Sequence, residues 1–111
     1  MGRFIKGDIV VVPFPFSDLS QSKKRPALVL ANITGDDLIL SQITSKNVYD
    51  RYSIKLLNSD FDEGELKKES NIRPNKIFTA DENIILYKLA HIKEEKIEEV
   101  INKIISIFTE N

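Results

Sequence analysis

Ile97, Val100, Ile101, Ile104, Ile105 and Phe108 recur at i, i+3, i+4, i+7, i+8 and i+11, the spacing of one face of an α-helix. Glu94 and Glu95 fall in the first turn of that helix, where its dipole favours negative charge. Before residue 93 the apolar residues come differently, in short runs rich in β-branched side chains and cut by proline, glycine and polar clusters. Ile9–Val12 reads as a buried strand that Pro13 and Pro15 end, because proline fixes φ and donates nothing to a ladder. A polar loop is expected over 16–24, a strand over 26–31, a turn at Gly35-Asp36-Asp37 and a strand over 38–44. Residues 45–51 read as a polar connection, 52–56 as a strand and 58–70 as an exposed loop. Further strands are expected near 71–78 and 86–92, separated by one helical turn capped around Asp81-Glu82-Asn83. Many short strands followed by one amphipathic helix predict an α+β fold, a small β-barrel closed by a C-terminal helix. With 111 residues the chain is expected to be a single domain, 1–111, with a modest core whose stability is shared with a partner subunit.

Cysteine is absent and His91 is the only histidine. Thiolate nucleophiles, disulfides, sulfur-ligated metals and paired-histidine sites are therefore excluded, and no metal or other cofactor is expected. The sequence opens without a basic region, a long apolar core or a cleavage site. No apolar run approaches the ~20 residues that span a bilayer, so a cytoplasmic protein without membrane contact is expected. The formal charge of −1 hides an asymmetry. Residues 1–79 hold 12 Lys and Arg against 10 Asp and Glu, whereas 80–111 hold 4 against 7. The cations gather at Lys23-Lys24-Arg25 and at Arg73 and Lys76, a pattern that suits a local phosphate site better than a track for duplex DNA.

Phosphodiester cleavage of RNA remains open to such a sparse set of groups. RNA carries its own nucleophile, the 2′-hydroxyl, so a protein need only align it, help move protons and stabilise the extra phosphoryl charge. Arginine suits the charge task with its planar, permanently cationic fork, and a threonine hydroxyl adds a further donor. By position alone Arg25 and Arg73 read as solvated surface charges or loop salt bridges, and Thr44 as an ordinary strand-end hydroxyl. Phe14 and Phe16, which alternate with Pro13 and Pro15, either cover the end of the core or stack on bases. His91 reads as structural, and Asp60-Phe61-Asp62-Glu63-Gly64-Glu65 as a solvated loop without the spacing of a calcium site.

Four blocks carry a resemblance. Gly7-Asp8-Ile9-Val10-Val11-Val12 followed by Lys24-Arg25-Pro26-Ala27-Leu28-Val29-Leu30, then Gln42-Ile43-Thr44, then Ser70-Asn71-Ile72-Arg73-Pro74-Asn75-Lys76-Ile77-Phe78-Thr79, then Leu89-Ala90-His91-Ile92 with the terminal helix, stand in the order and spacing of the MazF/PemK toxin family, which the chain resembles over nearly its whole length. The resemblance implies an SH3-like β-barrel, a homodimer, and metal-independent cleavage of single-stranded RNA to 2′,3′-cyclic phosphate and 5′-hydroxyl ends. It also implies inhibition by an acidic, partly disordered antitoxin segment lying across a groove lined by Arg25, Arg73 and Lys76.

Carried over by position, Arg25 matches the arginine of the family's Arg-Pro block and Thr44 its hydroxyl, both at the scissile phosphate. Arg73 matches a proton donor or phosphate contact of one branch. Phe16, Ser17, Asp18, Ser20 and Lys24 from the loop, with Gln42, Asn75 and Lys76, are expected around the substrate. The chain departs from the pattern at Ser20, where many relatives carry glutamate, and at Asn75, where the Arg73 branch carries aspartate. Neither residue is a carboxylate base; Asp18 is one substitute, and proton transfer through solvent or arginine is another. Two rival readings stand beside the ribonuclease: a family member without turnover, and a gyrase-poison-like toxin that acts by protein–protein contact. The chain's end, Phe108-Thr109-Glu110-Asn111, lacks the tryptophan anchor expected of the latter.

Overall fold

The computed structural model describes residues 3–14 and 23–110, the side chains of Phe14 and Lys23 apart. Seven strands form one curled antiparallel sheet, a half-barrel, with a single helix after them. The strands are β1 (Asp8–Phe14), β2 (Lys23–Asn32), β3 (Asp37–Thr44), β4 (Ile54–Leu56), β5 (Phe61–Gly64), β6 (Ser70–Asp81) and β7 (Tyr87–Ile92). Their order across the sheet is β4-β6-β3-β2-β1-β7-β5, and helix α1 spans Glu94–Thr109.

Strand alternation sends side chains to two apolar layers. Ile9, Leu28, Ile43 and Ile72 point to the concave layer, where Ile97 and Val100 of α1 complete the packing. Val10, Val12, Ala27, Val29, Leu38 and Leu40 build a second layer on the other face, covered by Phe4, Ala80 and Ile85. The helical face is used unevenly. Ile97 and Val100 are buried, Ile101 and Ile104 pack at the margin, and Ile105 and Phe108 remain exposed where the helix outruns the sheet. Its far end is tied back instead by polar contacts: Glu110 Oε1 accepts from Arg51 Nη2 at 2.9 Å and from the Tyr52 hydroxyl at 3.0 Å.

Several boundaries differ from the sequence-based expectation. Pro13 does not end β1, which continues to Phe14 opposite Lys23. Beyond Val11 the strand has a hydrogen-bonded neighbour on the β2 side alone, so the missing N–H of Pro13 costs no ladder bond toward β7. Lys24 accordingly lies in β2, not in a loop. The segment expected as exposed loop holds a 3-10 turn at Asn58–Asp60 and strand β5, which pairs with β7. Three of its acidic residues are paired: Asp60 with Lys96 at 3.3 Å, Glu63 with Lys88 at 2.6 Å and Glu69 with Lys55 at 3.3 Å. The turn at Gly35, with φ of 85°, and the helical turn capped by Asp81 on the Asn83 amide stand as expected. His91 has a structural partner in the buried Asp8, Nδ1 to Oδ1 at 2.8 Å. Among the described residues no helix is long and apolar enough to cross a membrane.

Candidate active site

The edge where β2 begins and β3 ends brings the separate sequence blocks together. Ala27 of β2 pairs with Gln42 of β3, and Gln42 pairs in turn with Arg73 of β6. Thr44 pairs with Asn71. Ala27 and Leu40 face the second apolar layer, so alternation carries Arg25, Gln42 and Thr44 to that same face. Arg25 and Thr44 each lie two residues beyond the Ala27–Gln42 pair, towards the same rim. Both line one cleft of about 570 Å³ with Lys24, Pro26, Ile43 and Ser45.

The hydroxyl of Thr44 accepts the Lys46 amide at 3.2 Å, which holds the oxygen and leaves its own proton directed elsewhere. Arg25 is half-buried and has no carboxylate or carbonyl partner among the described residues. A guanidinium held at a rim without a counter-charge is suited to receive an anion.

Arg73 is held differently. Ser41 pairs with Ile77 and Gln42 with Arg73, so Pro74, Asn75 and Lys76 bulge out of β6. The buried Ser41 hydroxyl donates to the Arg73 carbonyl at 2.7 Å at the near edge of this bulge. The bulge sets Arg73 beside Gln42 and leaves Asn75 and Lys76 exposed next to them. Nη2 of Arg73 meets Asp50 Oδ2 at 3.2 Å, while its buried Nε has no hydrogen-bond partner. Asp50 also accepts the Tyr52 and Ser53 amides, each at 2.9 Å. Burial pushes the Asp50 carboxyl up, but the Ser53 and Tyr52 amides and Arg73 outweigh it and hold the group below the ordinary 3.8.

Asp50 is the neighbour of Arg73 that the sequence concealed, since 45–51 reads only as a polar connection and an ion pair to residue 73 leaves no local trace. Phe16, Ser17, Asp18 and Ser20 lie outside the described residues. Among those described, no group of three or more His, Asp or Glu is disposed to hold a metal ion.

The family model for PemK-like, MazF-like toxins of type II toxin–antitoxin systems matches residues 5–108. No curated sequence is significantly similar to the chain. Among solved structures, a Deinococcus radiodurans MazE–MazF complex is 18% identical, covers 97% of this chain and 98% of its own, and superposes with a TM-score of 0.76. A mycobacterial endoribonuclease solved with its cognate antitoxin is 10% identical, with 95% and 94% covered and a TM-score of 0.75. The Mycobacterium tuberculosis toxin MazF-mt6 is 12% identical, with 94% and 98% covered and a TM-score of 0.72. At these identities the likeness establishes the fold.

Proposed function

The chain belongs to the PemK-like, MazF-like toxin family of type II toxin–antitoxin systems, and on that premise we propose that it is an endoribonuclease that cuts single-stranded RNA through the substrate's own 2′-hydroxyl. The 2′-oxygen attacks the adjacent phosphorus, the P–O5′ bond breaks, and the products are a 2′,3′-cyclic phosphate and a 5′-hydroxyl. The 2′-hydroxyl proton leaves during attack and the departing 5′-oxygen gains one. Arg25 takes the negative charge that grows on the phosphoryl oxygens and assists proton transfer, while Thr44 donates its hydroxyl proton to the same phosphate. Gln42 and Lys24 flank this centre, and Arg73, Asn75 and Lys76 extend the cationic surface along β6. Phe16, Ser17, Asp18 and Ser20 complete the substrate surface in this reading.

The observation that carries it is the register. Arg25 and Thr44 lie two residues beyond one cross-strand pair, on one sheet face, at one cleft. No metal is required, because the nucleophile is supplied by RNA and the charge by arginine. Arg25→Ala is expected to lower the cleavage rate in EDTA on the order of 10²–10³-fold. Thr44→Val, which removes a hydrogen bond to a charged group, is expected to lower it roughly 10–100-fold. Cleavage at wild-type rate by Arg25→Ala would remove Arg25 from the site. Absence of cleavage by the wild-type chain on several unrelated RNAs would favour a toxin without turnover or one acting by protein contact.

The protein is further proposed to act as a homodimer and to be restrained by an acidic antitoxin segment. Cations at Arg25 and Lys76 attract such a segment for the reason they attract RNA. The half-exposed Ile77, Ile84 and Leu86 are apolar surface that a second copy would cover.

A further inference from the structure

Four residues expected to form part of an exposed loop, Glu65-Leu66-Lys67-Lys68, form one wall of the cleft that holds Arg25 and Thr44. Two features fix this wall. At Gly64, with φ of 75°, the backbone lies flush against β7: a side chain there would strike the Leu89 carbonyl oxygen and crowd Ala90. Leu66 then packs against the concave core. The lysines that follow therefore project from an anchored segment.

The cleft's charge is one-sided. Lys24, Arg25, Lys67 and Lys68 line it against a single carboxylate, Glu65. Neighbouring lysines outside the cleft are neutralised: Lys55 pairs with Glu69 at 3.3 Å, Lys88 with Glu63 at 2.6 Å and Lys96 with Asp60 at 3.3 Å. The four cations lining the cleft form no ion pair among the described residues. Tyr87 and Leu89 of β7, 49% and 36% exposed, line the same cleft. An exposed tyrosine ring beside unpaired lysines is what single-stranded nucleic acid requires: a face for a base and cations for the backbone.

We infer that this cleft holds the nucleotide next to the scissile phosphate, with its base stacked on Tyr87 and its flanking phosphate on Lys67 and Lys68. The inference rests on the ribonuclease reading, because the cleft is continuous with Arg25 and Thr44, where that reading puts the bond to be cut. An acidic peptide would use the lysines equally well, but the Asp and Glu side chains that bind them offer no aromatic face to the exposed ring. Tyr87, Lys67 and Lys68 are thus substrate-binding residues that influence which sequences are cut.

The test uses a short single-stranded RNA with every 2′-oxygen methylated, so that it binds but is not cut, together with an unmodified RNA as a cleavage control. Tyr87→Ala is expected to weaken binding of the methylated RNA roughly 5–100-fold, and Tyr87→Phe, which keeps the ring, to bind as wild type. Lys67→Ala/Lys68→Ala is expected to reduce the slope of log affinity against log salt by about 0.7, the loss of the one single-strand phosphate that the two lysines share. Thermal melts check that the variants fold. If wild type cuts RNA while these variants keep its affinity, salt slope and cleavage pattern, the cleft assignment is overturned and the ribonuclease reading survives. If wild type neither binds nor cuts RNA, both fall. If the variants keep RNA affinity but lose a poly-glutamate peptide, the cleft belongs to an acidic protein partner and the nucleotide assignment is wrong.

Discussion

At the scale of single residues, the two arginines of the β2–β3–β6 edge have different electrostatic circumstances. Arg25 has no counter-charge among the described residues, whereas Arg73 already has Asp50 at 3.2 Å. A cation with its own carboxylate gains less from a substrate phosphate, which is why the proposal gives the principal charge-stabilising role to Arg25. Asp50 instead fixes Arg73 and the segment that follows it, through its bonds to the Tyr52 and Ser53 amides. Its carboxyl is held below 3.8 in the fold, so it contributes stability that is complete above the unfolded value and lost as pH falls through the lower folded value. Asp50→Asn is therefore expected to be less stable than wild type at neutral pH. The gap should close as urea midpoints are measured from pH 5 down to pH 2. A gap that stays constant over that range would show that the carboxylate's charge contributes nothing.

At the scale of elements, what the sequence made legible follows from the range of the forces involved. The helix is visible because its apolar period is local, and the strands of residues 9–12, 26–31 and 38–44 because β-branched runs and turn residues mark them. The continuation of β1 through Pro13 was not legible, since it depends on which neighbour pairs with the strand beyond Val11. Strand β5 was hidden for a similar reason. Phe61–Gly64 carries three charged or flexible residues in four, so Phe61, which packs against the core, is its one apolar signal, and the close approach of Gly64 to the Leu89 backbone leaves no local trace. Arg25 and Thr44 stood out through a resemblance of blocks, while their shared face depends on register that neither block contains. Asp50, Lys67 and Lys68 join the edge by long-range folding, with no local signature. Gly64→Ala tests the β5–β7 contact. A Cβ there meets backbone and the residue has positive φ, so both strain and displacement are imposed. A loss on the order of 1–3 kcal/mol in unfolding free energy is expected, and a variant as stable as wild type would show that β5 does not need this close approach.

At the scale of the whole molecule, one curled sheet with a helix across one face carries the proposed working surface at the rim of β2, β3 and β6. The proposed site sits at strand ends held by two apolar layers. A second copy is expected to cover part of the apolar surface that one chain leaves in water. Light scattering at micromolar concentration should give twice the chain mass, and a mass equal to one chain would remove the homodimer from the account. An acidic antitoxin segment lying over Arg25 should raise the apparent KM for RNA and leave kcat unchanged; a fall in kcat alone would indicate inhibition from elsewhere. The claim beneath all of these is that the attacking oxygen belongs to the RNA. The most direct measurement cuts a long single-stranded RNA with the wild-type chain in EDTA and determines the chemistry of the new ends. The account predicts 5′-hydroxyl ends that accept phosphate from polynucleotide kinase without prior phosphatase treatment, facing 2′,3′-cyclic phosphates; 5′-phosphate and 3′-hydroxyl ends would mean that water attacked the phosphorus, and would contradict it.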